Sequence, residues 1–504
     1  MKSKPGKSAA AAKPAAADPN RAAEPKLAEF PIHSENALSG LVIDASTRAQ
    51  TLASFHQAGD RSVIPAMLQI MRFARLGRVP PLQPGEAKLL RELSGQDLPA
   101  SEWDSWMNWL WREGQISNHA GFPFLQRHLY AGVHPDFMEI FNPQAPAEID
   151  RAEIIPRPDF LQKQVLPLSN PKIAANGSLE AGYLHGGDFV AGIEVNGEPR
   201  AYPLRLLNSH EVVNDVIAGQ PVVVIYNPFA RTVFAYEKIP SDQTIPSFHY
   251  TGLFYRADAL IYDLETKSLW SSTLGAPITG KLCRRNDRIR LVPITVTQTH
   301  WAGWRRMHYD TTVLSIDTGY NISYDFPNIY NQYYNNAAAE IPMLHRDNRL
   351  EPKERVFGIV ISGGAVAYPY KEIGGQSLIQ DDTGGEGVTI VAAAHREEFR
   401  AYKSGTFFFS GGAPAGYLRE AQTQRLWRLH EDRLAHGMHG AAELSLDRIP
   451  GVVTYWYAWQ LWHPETRVFR STDASAWQAT YPGVAATAEY LAQESPKPDR
   501  TNKN

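Results

Sequence analysis

The feature that most constrains this chain is that a large part of it can be laid over itself. VAGIEVNGEPRAYPLRLL, from Val190, matches VFGIVISGGAVAYPYKEI, from Val356. One constant offset aligns Gly192 with Gly358, Ala201-Tyr202-Pro203 with Ala367-Tyr368-Pro369, Asp215 with Asp381, Gly219 with Gly385 and Ala235-Tyr236 with Ala401-Tyr402. A slightly shorter offset then aligns Leu269-Trp270 with Leu426-Trp427, and Trp301, Trp304 and His308 with Trp456, Trp459 and His463. Self-similarity on this scale predicts tandem copies of one unit rather than a single continuous core. Both copies read as β. Asn196-Gly197 and Gly363-Gly364 have the chemistry of tight hairpin turns, and the runs VVVIY at 222–226 and VTIVA at 388–392 suit buried strands.

Ahead of the repeat the apolar period changes from strand to helix. In SVIPAMLQIMRFARLG, residues 62–77, Ser62 is placed to cap, Val63, Met67, Ile70, Met71 and Ala74 share a face, and Gly77 supplies a stop. SEWDSWMNWLWREG, residues 101–114, carries Trp103, Trp106 and Leu110 at helical spacing. That spacing makes the indoles of Trp103, Trp106, Trp109 and Trp111 core residues rather than a ligand platform. The expected order is a disordered tail at 1–35, a helical, repeat-like region at 36–150, a first β-rich copy at 151–345, a second, shorter copy at 346–475 and a tail at 476–504, an α+β chain overall.

Composition removes several classes of function. With 50 Lys+Arg against 53 Asp+Glu the net charge is −3, which offers no electrostatic footprint for nucleic acid. The single cysteine, Cys283, excludes an intrachain disulfide and any Cys-x-x-Cys centre. Arg284 and Arg285 beside it would favour a thiolate, but a lone incidental cysteine is the simpler reading. The first thirty or so residues lack the apolar core of a signal peptide and no apolar span is long enough for a membrane helix, so the expected location is cytoplasmic.

The repeat also sorts residues. Positions held in both copies, His308/His463, Trp304/Trp459 and Asp215/Asp381, point to scaffold, whereas His210, Glu211 and His300 meet Gln376, Ser377 and Tyr455 and are where the first copy has specialised. His210-Glu211-Val212-Val213-Asn214 approaches the zincin pattern but has Asn214 where the second histidine must stand. The ordinary reading is that His210 and Asp215 bridge backbone at a short helical turn. Asp317-Thr318-Gly319 and Asp382-Thr383-Gly384 resemble the aspartic-protease triplet, yet they do not occupy equivalent positions of the repeat and read as turns. His430, His436 and His439 match no metal cage, and no phosphate loop, nucleophile elbow or dinucleotide fingerprint occurs.

From about Glu153 to Val468 the chain resembles the domain-of-unknown-function 3179 family of bacterial and archaeal proteins. The resemblance is carried by EVNGEPRAYPLRLLNSHEVVNDVIAGQPVVVIYNP, TGLFYRADALIYDLETKSLWSSTLGAPITG, THWAGWRRMHYDTTVLSIDTGYNISYD and RDNRLEPKERVFGIV. It implies a Tyr-Cys-Pro-x-Cys-Gly segment after the strand ending at Tyr226, a thiol redox or soft-metal site. Here Asn227 and Ala230 stand at the two cysteines and Arg231 at the glycine, so this chain is a divergent member without that chemistry. Family members often carry export signals, which makes an extracytoplasmic location the alternative.

The resulting expectation is a ligand-binding or assembly component with a remodelled polar pocket drawn from His210, Glu211, Asn214, Asp215, Asn227, His249, His300 and Asp317. Its partner would be a small molecule or another protein. The first alternative is a metal-dependent enzyme, a hydrolase or oxidoreductase, with a transition metal on His210, Glu211 and His300 and a bound water as nucleophile. The second is a purely structural or interaction protein.

Overall fold

The computed structural model describes residues 33–471 except 114–115, 161–165, 239–245, 284–288, 325–329, 344–345, 363, 374–376, 393–397, 411–412 and 438–443. The tails expected at 1–35, apart from residues 33–35, and at 476–504 lie outside the described residues, as do Gln376, His439, Arg284 and Arg285. The architecture is α+β, a helical region followed by several β-sheets. Among the described residues no helix is long and apolar enough to cross a membrane.

Helices Ala45–Ala58, Ile64–Arg75, Pro84–Ser94, Trp103–Glu113 and Phe122–Ala131 form the front end. Met67, Ile70 and Met71 are buried as their spacing requires, and Gly77 ends the turn at φ 70°. The cap differs from expectation. Asp60, not Ser62, accepts the orphan amide, from Ser62 N at 2.9 Å, because a single 3-10 turn, Arg61–Val63, precedes the helix. Trp103, Trp106 and Trp109 are core residues, and the first two indole N–H groups donate to Leu68 and Pro99 carbonyls at 2.9 Å. Through Gln69 and Arg72, whose side chains donate to the carbonyls of Ile154 and Pro156, the helices dock on the edge strand Ile154–Pro156. One apolar cluster runs from Leu52 and Met67 across that seam to Leu253 and Phe254.

Three five-stranded sheets follow. One runs 154–156, 248–255, 258–263, 269–271, 276–279, the second 292–294, 232–237, 220–227, 212–217, 168–169, and the third 297–300, 189–195, 198–203, 312–314, 173–175. The later residues build a four-stranded sheet, 451–455, 355–361, 364–369, 467–468, and an eight-stranded one, 378–383, 386–392, 399–403, 444–449, 433–436, 426–429, 417–420, 409–410. The end strands of the eight-stranded sheet approach each other, so it closes into a near-barrel.

The aligned sequences also coincide in register. Thr297 pairs with Gly192 as Val452 pairs with Gly358, and Thr312 pairs in parallel with Arg200 as Arg467 pairs with Val366. Glycine is required at the first of these positions: a Cβ on Gly192 would lie 2.3 Å from the Trp304 ring, and one on Gly358 2.4 Å from the Trp459 ring. Tyr202 donates to Asp215 and Tyr368 to Asp381, both at 2.7 Å. The arginine that neutralises each aspartate has changed strands. Arg200 reaches Asp215 from one member of a cross-strand pair, and Arg467 reaches Asp381 from the other. Trp270 and Trp427 likewise donate to carboxylates at matching positions, Asp263 and Glu420, which sequence comparison passes over because the side chains differ in length.

A buried charge cluster joins the later sheets to the earlier ones. Glu431 accepts from Arg400 (2.7 Å), Arg448, Thr297 (2.7 Å) and His308 (3.1 Å). Beside it Glu398 accepts from Arg400 and from Thr299 at 2.6 Å. Although burial alone would raise it, Arg400 and then Arg448 hold the Glu431 carboxyl well below the ordinary glutamate range.

Candidate functional site

His210 ends the helix Leu204–His210, and the chain turns sharply at Glu211, whose φ of 57° and ψ of −32° send two adjacent side chains to different environments. His210 is fully buried, with Nδ1 2.6 Å from the Leu166 carbonyl and Nε2 2.5 Å from the Tyr324 hydroxyl. Glu211 accepts from both arms of the Arg157 guanidinium, at 2.6 and 3.2 Å, and from Tyr330 at 2.8 Å. Arg157 also binds Asp159 and lies over Phe229 and Tyr250 at 4.9 Å. Burial, reinforced at Tyr330 by the Glu211 charge, pushes the Tyr250 and Tyr330 phenols well above their ordinary range, so both remain protonated. Arg157, Asp159 and Tyr330 carried no motif and were not foreseen. Arg157 and Tyr330 are brought to Glu211 from 54 and 119 positions away by tertiary packing, and Asp159 joins them through Arg157 and Tyr330.

The remaining predicted residues do not join them. Asn214 acts as a side-chain strand, exchanging hydrogen bonds of 2.9 Å with both backbone groups of Phe248 and so tying two sheets together. Asp215 belongs to the Tyr202–Arg200 cluster. His249 packs edge-on against Tyr262 at 5.8 Å, and burial lowers its imidazole. His300 starts the helix Trp301–Met307, with Nδ1 2.9 Å from the Gly187 carbonyl and its ring against Phe189. Asp317 is exposed and paired with Lys172, which holds its carboxyl below the ordinary range. The three residues named as possible metal ligands, His210, Glu211 and His300, lie in separate surroundings. Each is engaged by a different protein partner, and among the described residues no three His, Cys, Asp or Glu side chains are placed to hold a metal ion.

An open site exists one turn further on. Asn227 folds the chain into an Asx turn, its Oδ1 accepting from Phe229 N (3.2 Å) and Ala230 N (3.3 Å) while Nδ2 donates to the Ala257 carbonyl at 2.8 Å. Arg231 takes the left-handed conformation, φ 54°, and lies over Tyr334 at 4.8 Å. The Ala230 carbonyl accepts from Tyr455 N at 3.1 Å, which locks the turn to the later sheets. Asn227 and Ala230 thus form one wall of an apolar cleft of about 240 Å³, whose other wall is Gly358, Ala458, Trp459, Trp462 and His463. The Trp462 indole nitrogen is buried with no partner among the described residues, and burial lowers the His463 imidazole. Asn227 and Ala230 were singled out in the sequence through the family resemblance. Trp459 and His463 were visible only as scaffold, since nothing in one dimension shows that the later sheets face this turn.

No curated protein and no solved structure matches the chain. A family model, "Protein of unknown function (DUF3179)", matches residues 165–466, which takes in the Asx turn, both walls of the cleft and the Glu431 cluster. With well over half of its length matched, the chain belongs to the DUF3179 family.

Proposed function

We propose that this protein is a binding component whose ligand enters the cleft beside the Asn227–Arg231 turn, and that the turn performs no thiol chemistry. One observation carries the reading: the two residues standing where the family resemblance puts sulfur, Asn227 and Ala230, line an apolar cleft of about 240 Å³. Their own polar atoms are spent on holding the turn. The cleft has room for a single planar ring against its apolar walls. A small aryl compound meets that demand.

The reading further takes the matching strand registers as an internal duplication, whose two copies now face each other across the cleft. The buried Arg157–Glu211 group then serves as scaffold under the turn, and the metal-enzyme alternative finds less support because its three ligands are engaged elsewhere.

Acetophenone is the probe. It should raise the melting temperature of the wild-type chain saturably. Val360→Trp, at a half-exposed position on the cleft rim, should remove that shift without lowering the melting temperature of the unliganded protein. Absence of a saturable shift in the wild type, or an undiminished shift in Val360→Trp, would overturn the assignment.

A further inference from the structure

The cleft beside the Asn227 turn has a counterpart in which the two aligned segments exchange roles. In the cleft, the end of the later helix, Trp456–Trp462, stands over the earlier strand 232–237. At the mouth of the near-barrel, a cavity of about 340 Å³ lies between the end of the earlier helix, Trp301–Met307, and the later strand 399–403. Aligned positions line both: Thr232 and Glu398, Phe234 and Arg400, Ala257 and Pro414, and Trp462 and Met307. The seam is tied in the same way in each, Thr232 to Thr454 at 2.8 Å and Glu398 to Thr299 at 2.6 Å. Thr454 and Thr299 are themselves aligned, each just ahead of the tryptophan that opens its helix.

What differs is the chemistry of the walls. The cleft is aromatic, with Phe234, Trp459 and Trp462. The barrel mouth is aliphatic, and its lining residues Leu378, Val391, Leu429 and Met307 are all partly exposed, so a molecule held there touches them.

The charges differ as well. Arg400 and Glu398 reach the wall of the mouth, but they neutralise each other and are further tied to Glu431 and Thr299. Arg306 also lines the cavity, is exposed and has no ion-pair partner among the described residues, so the mouth carries a surplus positive charge. Leu461 holds the aligned position at the end of the later helix.

We propose that the barrel mouth is a second ligand site, reciprocal to the cleft, for a medium-chain alkyl monocarboxylate. The alkyl chain lies on Leu378, Val391, Leu429 and Met307, and the carboxylate meets Arg306 at the rim. An unbranched chain suits walls of aliphatic side chains, and a single negative charge complements the uncompensated cation. The site does not rest on the aryl ligand of the cleft.

Calorimetric titration at low ionic strength tests it, with octanoate as the probe and 1-octanol as its uncharged comparison. Octanoate should bind saturably, one molecule per chain. Arg306→Glu, on the surface, turns attraction into repulsion and should weaken octanoate at least about fivefold while changing 1-octanol by less than about twofold. Ala415→Trp, at an exposed position of the lining, should remove the binding of both without lowering the melting temperature of the unliganded chain. Val360→Trp, on the rim of the cleft, should leave the octanoate isotherm unchanged, which separates this site from the first. No saturable binding of octanoate, an affinity indifferent to Arg306→Glu or to Ala415→Trp, or loss of octanoate binding in Val360→Trp would overturn the proposal.

Discussion

The arginine that changes strands between the aligned segments makes a rescue experiment possible. In one segment Arg200 neutralises Asp215 from a position paired with Thr312; in the other Arg467 neutralises Asp381 from the position equivalent to Thr312, and Val366 stands where Arg200 would be. Arg200→Val should therefore leave the Asp215 carboxylate, 4% exposed, without its cation. Breaking a buried pair from one side costs about 3–5 kcal/mol. Asp215 keeps the Tyr202 hydroxyl and the Val216 amide, at 2.7 Å each, which puts the cost near the lower end of that range.

For a unit of this size about 3 kcal/mol corresponds to a fall of about 6–12 °C in the calorimetric transition. Adding Thr312→Arg should recover at least about half of the loss, because the Arg467 geometry shows that an arginine on this strand reaches the same carboxylate. The assay is differential scanning calorimetry of the wild type, both single variants and the double variant, read as a coupling energy. If the double variant melts no higher than Arg200→Val alone, the two clusters are not equivalent and the argument from register fails.

Two further outcomes follow from other buried groups. Glu431 has its carboxyl held below the usual range in the folded chain, so its contribution to stability is fully present above the ordinary glutamate value of about 4.3 and is lost as pH falls through the lower folded value. Denaturant midpoints measured from pH 6 to pH 3 should fall for the wild type below about pH 4.3, and Glu431→Gln should start lower and flatten that slope; parallel slopes would refute it. His210→Ala strands the Leu166 carbonyl and leaves the Tyr324 hydroxyl with Thr318 as its remaining partner, and should cost about 1–3 kcal/mol in urea unfolding, while elemental analysis finds the same metal content as in the wild type. A stoichiometric metal that disappears with His210 would restore the metal-enzyme reading.

Much of the fold was legible because its signals are local. Turn chemistry at Asn196-Gly197, the strand at 222–226 and the indole spacing of helix Trp103–Glu113 each depend on neighbours a few residues away. The candidate site was legible only in part. His210 and Glu211 drew attention as polar residues at a helix end, but adjacency in sequence says nothing about direction. The backbone at Glu211 turns their side chains to separate partners, and His249 and His300 sit on other strands altogether.

What the sequence determined by itself was the repeated pattern, the family, the order of helical and β-rich regions and the absence of sulfur at positions 227 and 230. Tertiary structure alone decided that Arg157 and Tyr330 saturate Glu211, that Trp459 and His463 close a cleft over the Asn227 turn, and that Arg306 and Met307 line the mouth of the near-barrel. The physical reason is one of range. Backbone propensity and side-chain period act over a few residues, whereas burying a charge or leaving a cavity depends on which distant segments pack together, and a linear pattern does not contain that pairing.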